Sequence, residues 1–155
     1  MAEQNRFKLI QSLQTAEGLY HRLVLLVGKA GSGKTGVLQD VAEELETSVV
    51  NANLALSSEL LGLTARQRSL HLPEILDQIA DKAPSPVVLD NLEILFDKGL
   101  QQDPLRLLER ISRNRSVVAS WNGQIVAQRL LYAEMGHPEY RAYDAFDALI
   151  VEMED

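Results

Sequence analysis

The segment Gly28-Lys29-Ala30-Gly31-Ser32-Gly33-Lys34-Thr35 sets two glycines with four residues between them directly ahead of a lysine and a hydroxyl residue. Each position has a task if the ligand is a row of phosphates. The glycines let the backbone turn tightly enough for several N–H groups to face phosphate oxygens, and a following helix adds the positive end of its dipole. Lys34 is suited to reach the outer phosphates, and the Thr35 hydroxyl to complete the shell of a magnesium ion. The chemistry implied is capture of a nucleoside triphosphate, ATP with magnesium, by residues 28–35. Farther on, Val87-Val88-Leu89-Asp90 has the form of a buried strand that delivers a carboxylate beside such a loop, and Asp90 joins Thr35 as a metal-site residue.

The flanking residues are those needed to position the loop. Leu23 to Val27 is a continuous apolar run, the pattern of a central parallel strand, and Val37, Leu38, Val41, Ala42 and Leu45 then fall on one helical face. Further strands are expected over 48–51, 86–90, 117–121 and 148–151. Phe7, Ile10, Leu13 and Ala16 recur as the stripe of a helix ending near Gly18. Pro73 suits the first position of a helix running to Lys82. Asp103 and Pro104 suit the N-cap and first residue of another, with Leu105, Leu108 and Ile111 as its buried stripe. A helix is also expected from Gln124 to Ala133, and Trp121 as a core or interface anchor. Alternating strands and helices imply an α/β fold with a five-stranded, mostly parallel sheet and helices on both faces. The domain would be single over 1–155, with an N-terminal helix over 1–19 and the α/β core over 20–155.

Composition narrows the class. With 155 residues, 46% apolar and 24% charged, the chain has the size and make-up of one globular domain. No apolar run approaches the roughly 20 residues of a membrane helix, and the polar start has no signal-peptide pattern, so a cytoplasmic location is expected. Absence of cysteine excludes disulfides and thiolate metal sites, and the three histidines have no zinc-site spacing. A net charge of −7 argues against whole-surface attraction to nucleic acid. The local basic stretch Arg66 to His71, expected as a loop between helices, could meet DNA phosphates or an acidic partner, or simply be solvated.

The loop and the Asp90 strand resemble the additional-strand division of P-loop ATPases, including the AAA+ proteins. In that pattern a glutamate follows the metal-site aspartate and polarises the attacking water. Here Asn91 stands in its place, and an amide orients water but accepts no proton. Glu93 is the substitute if the chain curls back after the strand; otherwise it is a solvated carboxylate at a helix start. The resemblance also implies a polar residue at the next strand end that reads the outer phosphate. Asn122 is the first choice and Ser120 the second, with a plain Asn-Gly turn as the alternative. It further implies an arginine offered to a neighbouring subunit, here Arg141, or else Arg129 on the preceding helix, within a homo-oligomer. The helical lid usual after the fifth strand is not expected in this chain.

The same features, with the segment Tyr132-Ala133-Glu134-Met135-Gly136-His137-Pro138-Glu139-Tyr140, are together similar to BrxF, the small P-loop proteins of type 3 bacteriophage-exclusion (BREX) systems. That resemblance covers nearly the whole chain. It implies a cytoplasmic phage-defence component that works beside larger subunits and contacts DNA, if at all, through them or directly. Three activities are compatible with the residues: an ATPase driving assembly or remodelling, a non-hydrolysing nucleotide sensor that recruits partners, and a small-metabolite kinase. The last lacks the arginine-rich lid such enzymes close over their acceptor.

Overall fold

The computed structural model describes residues 2–154. Its elements are α1 (Ala2–Ala16), β1 (Leu23–Gly28), α2 (Lys34–Glu44), β2 (Val49–Asn51), α3 (Ala52–Leu60), α4 (Ala65–Lys82), β3 (Val87–Asp90), α5 (Pro104–Ile111), β4 (Val117–Val126), β5 (Arg129–Tyr132), β6 (Arg141–Tyr143) and β7 (Leu149–Glu152), with short 3-10 turns at Glu93–Phe96 and Lys98–Leu100. Five strands form a parallel sheet in the order β2-β3-β4-β1-β7. This is the expected five-stranded sheet, with β4 inserted between β1 and β3.

Alternation along β1 explains the two cores. Leu23, Leu25 and Val27 face one side with α3, α4 and α5, while Val24 and Leu26 face the other with α1 and α2. Both faces are therefore covered, and an unbroken apolar strand is what such a position demands. Register then decides where the chemistry gathers. Gly28 pairs with Asn122, and Asn51 with Asp90, so the parallel ladders run out together along one edge of the sheet.

Several local expectations give way to tertiary packing. The segment expected as a helix from Gln124 to Ala133 is instead the end of β4 and the antiparallel strand β5, which pairs onward with β6. Leu130 and Tyr132 are buried at a spacing of two, the strand period, and Ala127 and Gln128 both take left-handed φ values of 50° and 66° to turn the hairpin. Gly123 is thus not a turn residue. A Cβ there would fall on the Leu131 carbonyl oxygen, which accepts the Trp121 indole N–H at 3.0 Å. With β5 and β6 added antiparallel beyond β4, the whole sheet has seven strands, of which five are the expected parallel set.

The basic stretch Arg66 to His71 is helical, not a loop. Thr64 and Gln67 form a reciprocal capping box that starts α4 eight residues before Pro73, which lies inside the helix and not at its first position. In α1 the buried stripe is Leu9, Leu13 and Ala16. Phe7 is exposed, because Asn5 takes the inward position and exchanges hydrogen bonds with the Glu154 backbone beyond β7.

Candidate nucleotide site

The phosphate loop leaves β1 at Gly28 and enters α2 at Lys34. Gly31 and Gly33 adopt φ values of +80° and +96°, conformations that a side chain would strain. Gly28 is required for a different reason: a Cβ would crowd Ser32 Oγ at 2.7 Å and Met153 Cγ at 2.8 Å, so the chain after β7 packs against the loop. No side chain caps the N-terminus of α2. Its first-turn N–H groups and dipole are thereby left to an anion.

Lys34 is 6% exposed, and its Nζ donates to the Gly28 carbonyl at 2.8 Å, the Lys29 carbonyl at 2.7 Å and Ser32 Oγ at 3.3 Å. Burial lowers its pKa, against the opposing pull of Asp90 and Glu93. All three ammonium protons are engaged by the loop. The weakest of these bonds by length, to Ser32, is the one a phosphate oxygen would replace most readily.

Asp90 is buried at the end of β3, with one carboxylate oxygen accepting from Thr35 Oγ1 at 2.6 Å and the other from Ser120 Oγ at 2.6 Å. The oxygen donor set of Thr35 and Asp90 is the kind a magnesium ion takes, and uncapped N–H groups with a buried ammonium lie beside it. These residues fit a magnesium nucleotide. Ser120, second choice as the phosphate reader, instead holds the Asp90 carboxylate.

Past Asp90 the chain curls back. Asn91 takes φ 58°, and the 3-10 turn that begins at Glu93 brings its Oε1 to 2.7 Å from Asn122 Nδ2. Glu93 and Asn122, spaced far apart in the sequence, are one hydrogen-bonded pair. Together with Ala30, Gly31, Gly33, Lys34, Thr35, Asp90 and Asn91 they line a cleft of about 350 Å³.

The arginines lie elsewhere. Arg141, half-buried on β6, donates through Nη2 to the Gln102 carbonyl at 2.8 Å. Arg129 is on β5 rather than a helix, and its Nε meets Asp144 Oδ1 at 2.5 Å. Neither belongs to the lining of the cleft. Arg66 is an exposed residue on α4, and Arg68 is turned back onto the Leu63 carbonyl.

A parallel sheet with a strand inserted next to the phosphate-loop strand, and a buried lysine and aspartate at its edge, defines a P-loop nucleotide-binding ATPase core. Residues 24–120 match the ATPase family associated with various cellular activities (AAA), and the chain belongs to that family. The match ends at Ser120, just before the hairpin that departs from the expected helix. In fold the chain is similar to the structure of C. elegans PCH-2, with a TM-score of 0.50 at 15% identity. The likeness covers 97% of this chain and 42% of that one, so the chain spans less than half of that protein's length. No curated protein sequence matches the chain. Among the described residues no helix is long and apolar enough to cross a membrane.

Proposed function

We propose that this chain hydrolyses magnesium ATP slowly, with Glu93 in place of the usual base, and that partners in a phage-defence complex control the rate. The observation that carries the reading is the Glu93–Asn122 pair in the lining of the phosphate cleft. Bound magnesium ATP supplies the electrophilic outer phosphoryl group, whose negative charge the metal draws off. Lys34 and the first-turn N–H groups of α2 hold the phosphates, while Thr35 and Asp90 hold the metal. Asn122 fixes one oxygen of Glu93, leaving Oε2 to take a proton from water, a role the Asn91 amide cannot fill.

Slowness follows from two engagements. The Lys34 ammonium must exchange a loop acceptor for phosphate, and the Glu93 carboxylate is held on Asn122. A homo-oligomer in which Arg141 acts on a neighbour's nucleotide requires that arginine to leave Gln102. The phage-exclusion setting is supported by the resemblance carried by segment 132–140, and contact with DNA belongs to that setting.

Measuring nucleotide bound and phosphate released by the wild type, Lys34→Ala and Glu93→Gln tests the reading. Lys34→Ala is expected to lose binding, and Glu93→Gln to bind without turnover. Nucleotide loss with no phosphate release, in the presence of partner subunits, would replace the ATPase by a sensor. Mixing Lys34→Ala with Arg141→Ala subunits tests the neighbour's role: recovery of activity supports it, and no recovery in proven mixed oligomers removes it.

A further inference from the structure

Met153, the first residue after β7, lies along the phosphate loop from one end to the other. Its Cγ is 2.8 Å and its Cβ 3.1 Å from where a Cβ on Gly28 would stand, and its Cε is 3.8 Å from the corresponding point on Gly33. Gly28 is where the loop leaves β1, and Gly33 is where it turns into α2. A glycine-rich loop has few side chains of its own with which to pack, so its shape depends on what lies against it. An unbranched thioether suits so irregular a surface. The backbone of Met153 is itself held, since its N–H donates to the Val27 carbonyl at 2.8 Å and extends the β1–β7 ladder as far as the loop.

The next residue is tied to α1. Asn5 is 1% exposed, and it exchanges two hydrogen bonds with the Glu154 backbone: Nδ2 donates to the carbonyl at 3.4 Å, and Oδ1 accepts from the N–H at 3.1 Å. The Lys8 ammonium, also on α1, pairs with the Glu154 carboxylate. A buried amide is tolerated where both its groups find partners, and here the partners belong to one residue, whose position they fix. A continuous path therefore runs from α1 through Asn5 and Glu154 to Met153, and from Met153 to both ends of the loop. Neither Asn5 nor Met153 lines the phosphate cleft.

We propose that Met153 is a positioning residue for the phosphate loop, set in place by the Asn5–Glu154 clasp, so that the docking of α1 and the capture of nucleotide are linked. With Met153 seated, Gly28 and Gly33 are held where the loop and the first turn of α2 converge on one anion. Without it, the loop has more freedom to lose on binding, and affinity falls. Linkage is reciprocal, so bound nucleotide tightens the clasp. The proposal rests on the reading of residues 28–35 as the phosphate site; it needs neither Glu93 nor hydrolysis.

Calorimetric titration of the whole chain tests it with two ligands, magnesium ATP and magnesium tripolyphosphate, which has the phosphates and no base. Met153→Ala and Asn5→Ala are each expected to weaken both ligands alike, by about three- to thirtyfold. Met153→Leu, which refills the space against the loop, should restore most of the affinity. Because the two residues act along one path, the double substitution should weaken binding little more than either alone. Should Asn5→Ala fail to fold, the comparison of Met153→Ala with Met153→Leu carries the test, since Met153 is half-buried at the edge of its core. Hydrogen exchange at the Met153 and Glu154 amides is expected to slow when ATP binds the wild type. A loss confined to ATP, with tripolyphosphate bound normally, would make Met153 a contact of the base and overturn the proposal. Unchanged affinity in Met153→Ala, or a loss that Met153→Leu does not restore, overturns it as well. Failure of the wild type to bind either ligand defeats the phosphate-site reading itself, whereas equal binding by wild type and variants defeats this proposal alone.

Discussion

Asn122 Nδ2 donates to Glu93 Oε1 at 2.7 Å, joining β4 to the turn after β3 in the lining of the phosphate cleft. The bond holds one carboxylate oxygen, and the other accepts no hydrogen bond among the described residues. It also makes the two residues separable by substitution. Glu93→Gln keeps the size and the Asn122 contact but removes the proton acceptor, so turnover should fall by about 10²–10⁴-fold with ATP affinity nearly unchanged. Asn122→Ala leaves the base but frees it, and should cost less. Asn91→Glu should not restore a fast enzyme, because residue 91 has φ 58°, a conformation asparagine tolerates better than glutamate. Single-turnover phosphate release measures all three. Normal turnover in Glu93→Gln would remove it from the mechanism.

Ser120 and Thr35 hold opposite oxygens of Asp90, each at 2.6 Å. Ser120 should therefore act as a positioning residue for the metal-site carboxylate. Ser120→Ala leaves one buried Asp90 oxygen without its donor and the carboxylate free to rotate. ATP affinity in the presence of magnesium is expected to fall several-fold, by about 1 kcal/mol, with affinity in its absence little changed. Equal loss in both conditions would mean that Ser120 merely packs the strand end.

Much of this was legible before any coordinates. The glycine spacing, the Lys34-Thr35 pair and the apolar run ending at Asp90 identify the cleft, because each residue type is dictated by local chemistry. Asp103 and Pro104 likewise cap α5 as their types require. The illegible parts depend on partners distant in sequence. Residues 124–133 contain good helix formers, and only the core into which Leu130 and Tyr132 pack reveals their strand period. The pairing of Glu93 with Asn122 is not written in the sequence, since nothing local states that the chain turns back after Asn91.

Tyr143 offers a test by pH. Its hydroxyl donates to Asp103 Oδ1 at 3.0 Å, and burial, aided by Asp103, pushes its pKa up to about 12. A folded pKa above the unfolded value of about 10 means that the native state holds the proton longer. The stabilisation is whole below about pH 10 and is lost as pH rises towards 12. Urea unfolding midpoints should thus fall between pH 9 and pH 11.5, values chosen at about the ends of that window, and fall less in Tyr143→Phe. Tyr132, raised by burial, adds to the slope, and Lys34, lowered by burial, opposes it. Parallel losses in the wild type and Tyr143→Phe would show that this hydroxyl does not contribute.

Pro73 in the interior of α4 lacks the N–H that would bond the carbonyl of Ser69 four residues earlier. That carbonyl instead accepts from Gln102 Nε2 at 2.8 Å, and the same amide nitrogen donates to the Leu100 carbonyl at 2.7 Å. Gln102 thus closes a gap that proline opens, while its own carbonyl accepts from Arg141. Gln102→Ala should destabilise the domain by about 1–3 kcal/mol, since it leaves partly buried carbonyls without donors. Pro73→Ala restores the helix N–H and should remove part of that cost. In a double-mutant cycle the two substitutions are expected to couple by about 1 kcal/mol, with Gln102→Ala less harmful in the Pro73→Ala background. Chemical denaturation of the four proteins measures the coupling. Additive effects would show that Ser69 finds another donor, such as water, and that Gln102 matters only for the turn at Leu100.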